Sequence, residues 1–160
     1  MLANDLRDIA TVALASRLCV VTLAVLSDLL LPDHQAQGAL LAPFEPECTA
    51  VAPLLRAFTR WDAAHFLRVA RHGWRDEWSF AFFPAFPLLL RAAGGAVRRL
   101  DLSSLLCEQE AMVLGGVILS NTCFILAACC LYLLSLEVLR ERRLAHASAL
   151  LFCVSPAAGG

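Results

Sequence analysis

The stretch from Met112 to Leu136 contains no charged residue, and as an α-helix it would be roughly 37 Å long at about 1.5 Å per residue. The hydrocarbon core of a bilayer is about 30 Å thick, so a membrane-spanning helix is predicted over 111–137. Ile9 to Leu31 is a second apolar stretch, interrupted by Arg17 and Asp28. This stretch predicts a transmembrane helix over 9–31, and Pro32 would end that helix. A third apolar run, 144–160, is expected to begin a further transmembrane helix.

The composition supports a membrane protein and excludes two other classes. Hydrophobic residues make up 59% of the 160 residues, where about 45–50% is usual. A chain of this size buries only about two-thirds of its surface, so the remaining apolar surface needs lipid or a large partner. The formal net charge of −1 leaves no basic footprint for nucleic acid, and the high hydrophobicity excludes a disordered chain. We therefore predict an all-α, multi-pass transmembrane protein that binds no nucleic acid.

The cysteines indicate neither a metal site nor a dense disulfide scaffold. Five of the seven lie inside apolar runs, where cysteine behaves as a small buried hydrophobe. No CxxC pair is present, and the spacing of His65 and His72 is not a metal signature. Only Cys48 and Cys107 lie outside the apolar runs, and they could pair if both face an oxidising compartment.

The segment between the two predicted spans, residues 32–110, is expected to be a loop with helices at the membrane interface over about 56–72 and 80–100. Two prolines, a Gly94-Gly95 pair and Arg91 make 80–100 a poor span. An arginine-rich turn at 140–143 follows the longer apolar stretch, and cytoplasmic loops are enriched in basic residues. If 80–100 does not cross, the loop is luminal and the N-terminus cytosolic. If it does cross, the arginine-rich turn becomes luminal.

Polar residues capable of chemistry are concentrated between Arg60 and Leu88. Asp62, His65, Asp76 and Glu77 are acid/base-capable groups beside a bilayer, where a low dielectric can shift pKa values. Several tryptophans surround them and could anchor the chain at the interface or stack on a sugar. The histidines could contact headgroups, and the neighbouring arginines could bind the phosphates of lipids or of a substrate. From the residues alone no reaction follows.

Four sequence blocks carry a resemblance to a known family. They are Trp61-Asp62-Ala63-x-His65-Phe66, Phe80-Ala81-Phe82-Phe83-Pro84-x-Phe86-Pro87-Leu88, Pro32-Asp33-His34 and Leu151-Phe152-Cys153-x-Ser155-Pro156-Ala157. Together they closely resemble the GPI mannosyltransferase 2 family, from about Ala15 to Ala157. The resemblance implies a multi-pass glycosyltransferase of the GT-C type in the endoplasmic reticulum membrane. Such enzymes transfer the second mannose, in α-1,6 linkage, from dolichol-phosphate-mannose to the GPI-anchor precursor.

The resemblance also implies roles for individual residues. Asp62 is expected to be the catalytic base and Glu77 a second catalytic acid. Trp61, His65, Arg17 and His34 are expected to bind substrate. The sequence shows no required cofactor and leaves a divalent metal open. The implied partners are the lipid-linked donor, the GPI precursor, membrane lipids and a small membrane subunit.

Relatives in this family continue through many further membrane segments, so we expect a truncated single domain, the N-terminal portion of such an enzyme, inactive by itself. Two other classes stay open. A non-catalytic membrane subunit or scaffold would use the loop to dock a partner enzyme. A transporter would use Arg17 and Asp28 as charges within the membrane.

Overall fold

The computed structural model of the chain describes residues 2–31, 51–75, 77–100 and 106–155. These residues form α-helices and 3₁₀ turns, and no β-strand occurs among them, which confirms the all-α prediction. The helices are α1 (Leu2–Leu30), α2 (Ala52–Leu55), α3 (Asp62–His72), α4 (Ala85–Arg99), α5 (Glu108–Leu139) and α6 (Arg142–Val154); two 3₁₀ turns cover Arg56–Thr59 and Glu77–Ala81.

Two of the described helices, α1 and α5, are long and apolar enough to cross a membrane. They contain 29 and 32 residues, and only 17% and 11% of their most apolar windows is buried inside the chain. Most of their apolar surface therefore needs another apolar environment, which is the position of a membrane-spanning helix rather than of a core helix. Both helices begin before the predicted spans 9–31 and 111–137.

The two predicted interfacial helices are shorter than expected. The segment predicted as one helix over 56–72 is a 3₁₀ turn followed by α3, because the backbone at Trp61 leaves the helical region. The segment predicted over 80–100 becomes helical at Ala85, directly after Pro84, which occupies the N-cap. With 15 residues, α4 is about 22 Å long at ~1.5 Å per residue. That is shorter than the hydrocarbon core, in keeping with the alternative in which this segment does not cross.

The chain divides into two compact units, the first made of residues 1–23 and 120–160. Its core consists of Ile9 and Tyr132 with buried small residues from three helices: Ala13, Ala128, Ala145, Ala149 and Cys153. The buried carboxylate of Asp5 accepts hydrogen bonds from the Tyr132 hydroxyl at 2.7 Å and from the Arg142 guanidinium. This pairing joins the beginning of α1 to the beginning of α6.

The second compact unit, residues 24–119, contains α2, α3, α4 and the beginning of α5. Its main core is formed by Leu55, Leu67, Ala70, Leu90, Met112 and Val113. Glycines allow α4 and α5 to approach closely. A Cβ at Gly94 would lie 2.9 Å from the Met112 Cα, and one at Gly115 would lie 2.7 Å from the Ala93 carbonyl carbon. These distances leave no room for a side chain at either glycine.

Some predictions fall on residues that the structure does not describe. His34, Cys48 and Asp76 lie outside the described ranges. Cys107 is disulfide-bonded, whereas Cys19, Cys123, Cys129, Cys130 and Cys153 are free thiols. The pairing of Cys48 with Cys107 stays a prediction.

Candidate functional site

The candidate site is built around the junction between the 3₁₀ turn at Arg56–Thr59 and α3. Trp61 occupies the N-cap of α3 with φ 52° and ψ −133°, a conformation that L-residues rarely adopt. Holding a non-glycine residue there costs on the order of 1–3 kcal/mol and persists only where surrounding contacts fix it. The carbonyls of Arg60 and Trp61 accept hydrogen bonds from the Ala63 and Ala64 amides, both at 3.1 Å, so the strained residue is tied to the first turn of the helix.

Asp62 is the first residue of α3, and its side chain is exposed. The first turn of a helix carries N–H groups that have no partner within the helix, and it is the positive end of the helix dipole. The preceding residue, Trp61, has 81% of its surface exposed. An accessible carboxylate therefore lies directly beside an accessible indole, an arrangement that can accept a proton from a hydroxyl and present an apolar face to a ring.

Aromatic contacts bring together the two sequence blocks that were singled out between Arg60 and Leu88. The His65 ring stacks on Phe82, with centroids 5.1 Å apart. Phe66 meets Phe82 and Phe86 edge to face, each at 5.0 Å. Trp74 Nε1 donates to the Phe82 carbonyl at 3.3 Å. Phe82 is thus the residue through which α3 and the segment leading to α4 are joined.

A carboxylate at the end of α1 binds two arginines that precede Trp61. Asp28 Oδ2 accepts from Arg56 Nε at 3.0 Å, and Asp28 Oδ1 accepts from Arg60 Nη2 at 2.8 Å. The Asp28 and Arg60 side chains are only 10% and 13% exposed, whereas that of Arg56 is 49% exposed. The Asp28–Arg60 pair is the better shielded from solvent, and such pairs are screened less than exposed ones.

The remaining predicted site residues are placed differently. Glu77 is exposed at the beginning of the second 3₁₀ turn. Arg17 belongs to the first compact unit, where its guanidinium carbon lies 3.9 Å from the centre of the Phe124 ring. His34 lies outside the described residues. Trp61, Asp62 and His65 therefore lie within five consecutive residues at the beginning of α3, in the second compact unit.

The sequence reasoning missed Phe82 as the central contact and Asp28 as the partner of Arg60. The signal for Phe82 was its place in the aromatic-proline block. Asp28 offered only its position near the end of an apolar helix, and nothing in the sequence pairs it with an arginine 32 residues later. Within the ranges that the structure describes, no three His, Cys, Asp or Glu side chains form a group able to hold a metal ion.

Comparison with known proteins identifies what the chain is similar to. The family described as "Mannosyltransferase (PIG-V)" matches residues 6–159. GPI alpha-1,6-mannosyltransferase 2 of Rattus norvegicus is 37% identical over 154 residues, which cover 94% of this chain and 31% of the relative. The Homo sapiens protein of the same name is 35% identical with the same coverage, and GPI mannosyltransferase 2 of Drosophila melanogaster is 26% identical, covering 93% of this chain and 34% of the relative. The chain therefore spans about a third of the length of these relatives. No solved structure matches it significantly.

Proposed function

The chain belongs to the mannosyltransferase (PIG-V) family, and we propose that it contributes the catalytic carboxylate of a GPI α-1,6-mannosyltransferase. Its relatives carry that activity in their names. The proposed reaction adds the second mannose to the GPI precursor from dolichol-phosphate-mannose at the endoplasmic reticulum membrane. The chain would supply the N-terminal portion of the enzyme, with segment 32–110 in the lumen and the N-terminus in the cytosol.

The observation that carries the proposal is the position of Asp62. It is an exposed carboxylate at the positive end of α3, beside an exposed Trp61, in the block that matches the family. A general base must be accessible to the hydroxyl whose proton it takes. Asp62 lies at the exposed beginning of α3, where an acceptor hydroxyl could reach its carboxylate.

The reaction inverts the anomeric carbon, because the donor mannose is β-linked to phosphate and the product is α-linked. The acceptor hydroxyl oxygen would attack C1 of mannose from the face opposite the phosphate, forming the new glycosidic bond. The bond from C1 to the phosphate oxygen breaks, and dolichyl phosphate leaves with the bonding electrons. Asp62 would take the proton of the attacking hydroxyl, as the base carboxylate does in inverting glycoside chemistry.

Other residues have supporting roles in this proposal. Trp61 would pack its exposed indole against a sugar ring or the lipid interface. His65 is held by its stacking on Phe82 and would line the same region. Glu77 is proposed as a second acid, and Arg17 and His34 as contacts for the phosphate-bearing substrate. The membrane lipids and a small membrane subunit are proposed partners.

The test uses a chimaeric enzyme, because the chain spans only 31% of the rat relative. The chain replaces the matching part of the rat protein, and the chimaera is expressed in cells that lack the second GPI mannosyltransferase. Surface GPI-anchored proteins are measured by flow cytometry and the amount of chimaera by immunoblot. Asp62→Asn should reduce mannosyl transfer by about 10²–10⁴-fold, the usual contribution of a general base, at unchanged protein level.

Asp8→Asn is the matched control, since Asp8 is also exposed in the first turns of a helix but lies outside the candidate site. It should leave transfer unchanged. Full restoration by Asp62→Asn would refute the assignment of the base. If variants at both Asp62 and Glu77 stay active while deletion of residues 51–100 prevents assembly, the chain acts as a scaffold.

A further inference from the structure

The strained junction at Trp61 requires contacts that fix it, and one candidate lies on α1. The two carbonyls at Arg60 and Trp61 are bound to the first turn of α3, but these bonds form in any helix start and do not select a left-handed residue. The Arg60 side chain precedes the strained residue directly and is 13% exposed. Its guanidinium donates to the carboxylate of Asp28, 32 residues earlier in the chain, at 2.8 Å.

The two ion pairs of Asp28 are not equivalent. Arg56 reaches it from the 3₁₀ turn with half of its side chain exposed, whereas Arg60 reaches it from the residue next to Trp61 with its side chain nearly buried. An exposed pair constrains a side chain weakly, because solvent competes for both partners. A shielded pair leaves an unpaired charge when one partner is removed. The shielded pair is therefore the one able to fix the backbone ahead of α3.

From this arrangement, and on the basis of the proposed function, we propose that Asp28 is a positioning residue for the transfer reaction. By binding the Arg60 guanidinium it fixes the backbone at Trp61, and with it the place of the Asp62 carboxylate. It does not touch substrate in this proposal. A misplacement of about 1 Å at a reacting group can cost on the order of 10²-fold in rate, so loss of this contact should be visible in turnover.

The first experiment measures whether Asp28 holds Arg60, and it needs no enzyme activity. The chain contains arginine and no lysine, so trypsin cuts it only after arginine. The 160-residue chain is placed in lipid nanodiscs and digested briefly, and the fragments are quantified by mass spectrometry. Asp28→Asn should increase cleavage after Arg60 at least about five-fold relative to cleavage after the exposed Arg91. Asp28→Glu should restore most of the protection, and the control Asp8→Asn should change nothing.

The second experiment measures turnover in the chimaeric enzyme, corrected for the amount of protein. Asp28→Asn should lower kcat about 10- to 100-fold and change the KM for the lipid-linked donor less than three-fold. Arg60→Gln should have a similar effect and Arg56→Gln a much smaller one. The double variant Asp28→Asn/Arg60→Gln should be no worse than the more damaging single variant, because both changes remove the same contact.

The outcomes separate the positioning role from the proposed function. Unchanged cleavage after Arg60 in Asp28→Asn would overturn the proposal, since the contact would not hold Arg60. Increased cleavage with unchanged kcat would overturn it as well, because the contact would then be structural only. If Asp28→Asn lowers the amount of enzyme, kcat is calculated per enzyme molecule. A lower kcat that recovers in Asp28→Glu supports the positioning role, and an unchanged kcat overturns it. Full transfer by Asp62→Asn would refute the catalytic assignment while leaving the cleavage result intact.

Discussion

Adjacent glycines on α4 offer a matched pair for testing the packing of the second compact unit. Gly94 faces α5, where an added Cβ would lie 2.7 Å from Met112 Cγ and 2.9 Å from Met112 Cα. Gly95 is next to it on the same helix, and an added Cβ there meets nothing within 4 Å. Because Met112 Cα belongs to the backbone of α5, it cannot rotate away. Gly94→Ala should therefore separate the two helices, and Gly95→Ala should not.

The size of the effect follows from two opposing terms. Replacing glycine by alanine inside a helix stabilises it by up to about 1 kcal/mol, and this gain is common to both variants. Overpacking of a close contact costs typically about 1–3 kcal/mol, and only Gly94→Ala incurs it. The two variants should therefore differ by about 1–3 kcal/mol, with Gly95→Ala more stable than the original chain. For a unit of fewer than about 100 residues, each kcal/mol moves the thermal midpoint by roughly 4–8 °C.

The assay is thermal unfolding of the chain in nanodiscs, followed by tryptophan fluorescence. Trp61, Trp74 and Trp78 all belong to residues 24–119, so the signal reports on the unit that contains the α4–α5 contact. Midpoints are compared at one scan rate, which keeps the comparison valid if unfolding is irreversible. Equal midpoints for the two variants would refute the close approach of the helices at Gly94.

Three further outcomes are expected, the first two from the structure and the third from the sequence. Trp61→Gly should raise the midpoint of thermal unfolding, because glycine adopts a φ of 52° without the strain of about 1–3 kcal/mol. The same variant should lower sugar transfer. A lower midpoint would contradict the presence of strain at Trp61. Tyr132→Phe removes the 2.7 Å hydrogen bond to Asp5, so alkylation of the buried free thiol of Cys153 should increase on heating. Unchanged alkylation would show that this bond contributes nothing to the stability of the first unit. Glycosylation-acceptor tags near Pro46 should be modified and tags near Arg142 should not, and the opposite pattern would refute the luminal loop.

The helical class and the two long helices could be predicted from the sequence, because an uncharged run such as Met112 to Leu136 has few other stable environments. The beginning of α1 could not be predicted in the same way. A charged residue such as Asp5 is not expected in an apolar span, but its charge is compensated by Arg142, 137 residues later. A pairing at that separation leaves no periodic signal in the local sequence. The beginning of α1 therefore extends beyond its apolar part through a residue whose partner is distant in the sequence.

The candidate site shows the same division between local and distant information. The Trp61-Asp62 block is contiguous, so it could be recognised by its residue types and order. The break in the predicted helix over 56–72 could not, because its cause is a left-handed backbone at a tryptophan, with neither glycine nor proline to mark it. The stacking of His65 on Phe82 joins residues 17 positions apart through ring geometry. The residue types at 61–65 could be proposed from the sequence, whereas the contacts with Phe82 and Asp28 required the structure.

The exposed aromatic side chains explain why a sugar-transfer site would be found at this part of the chain. Trp61, Phe80 and Phe83 are 81%, 70% and 77% exposed, although each would gain about 1.5–3 kcal/mol by leaving water. They lie on the junctions on either side of α3, outside the α-helices, with Phe80 in the 3₁₀ turn Glu77–Ala81, whereas the exposed leucines of α1 and α5 are distributed along those long helices. Aromatic residues on such junctions are typical of the boundary between hydrocarbon and water. In the proposed function, the Asp62 carboxylate next to Trp61 would meet the acceptor hydroxyl at that boundary while the polyprenyl chain of the donor stays in the membrane. Exposed aromatic side chains at such a boundary would suit a lipid-linked substrate.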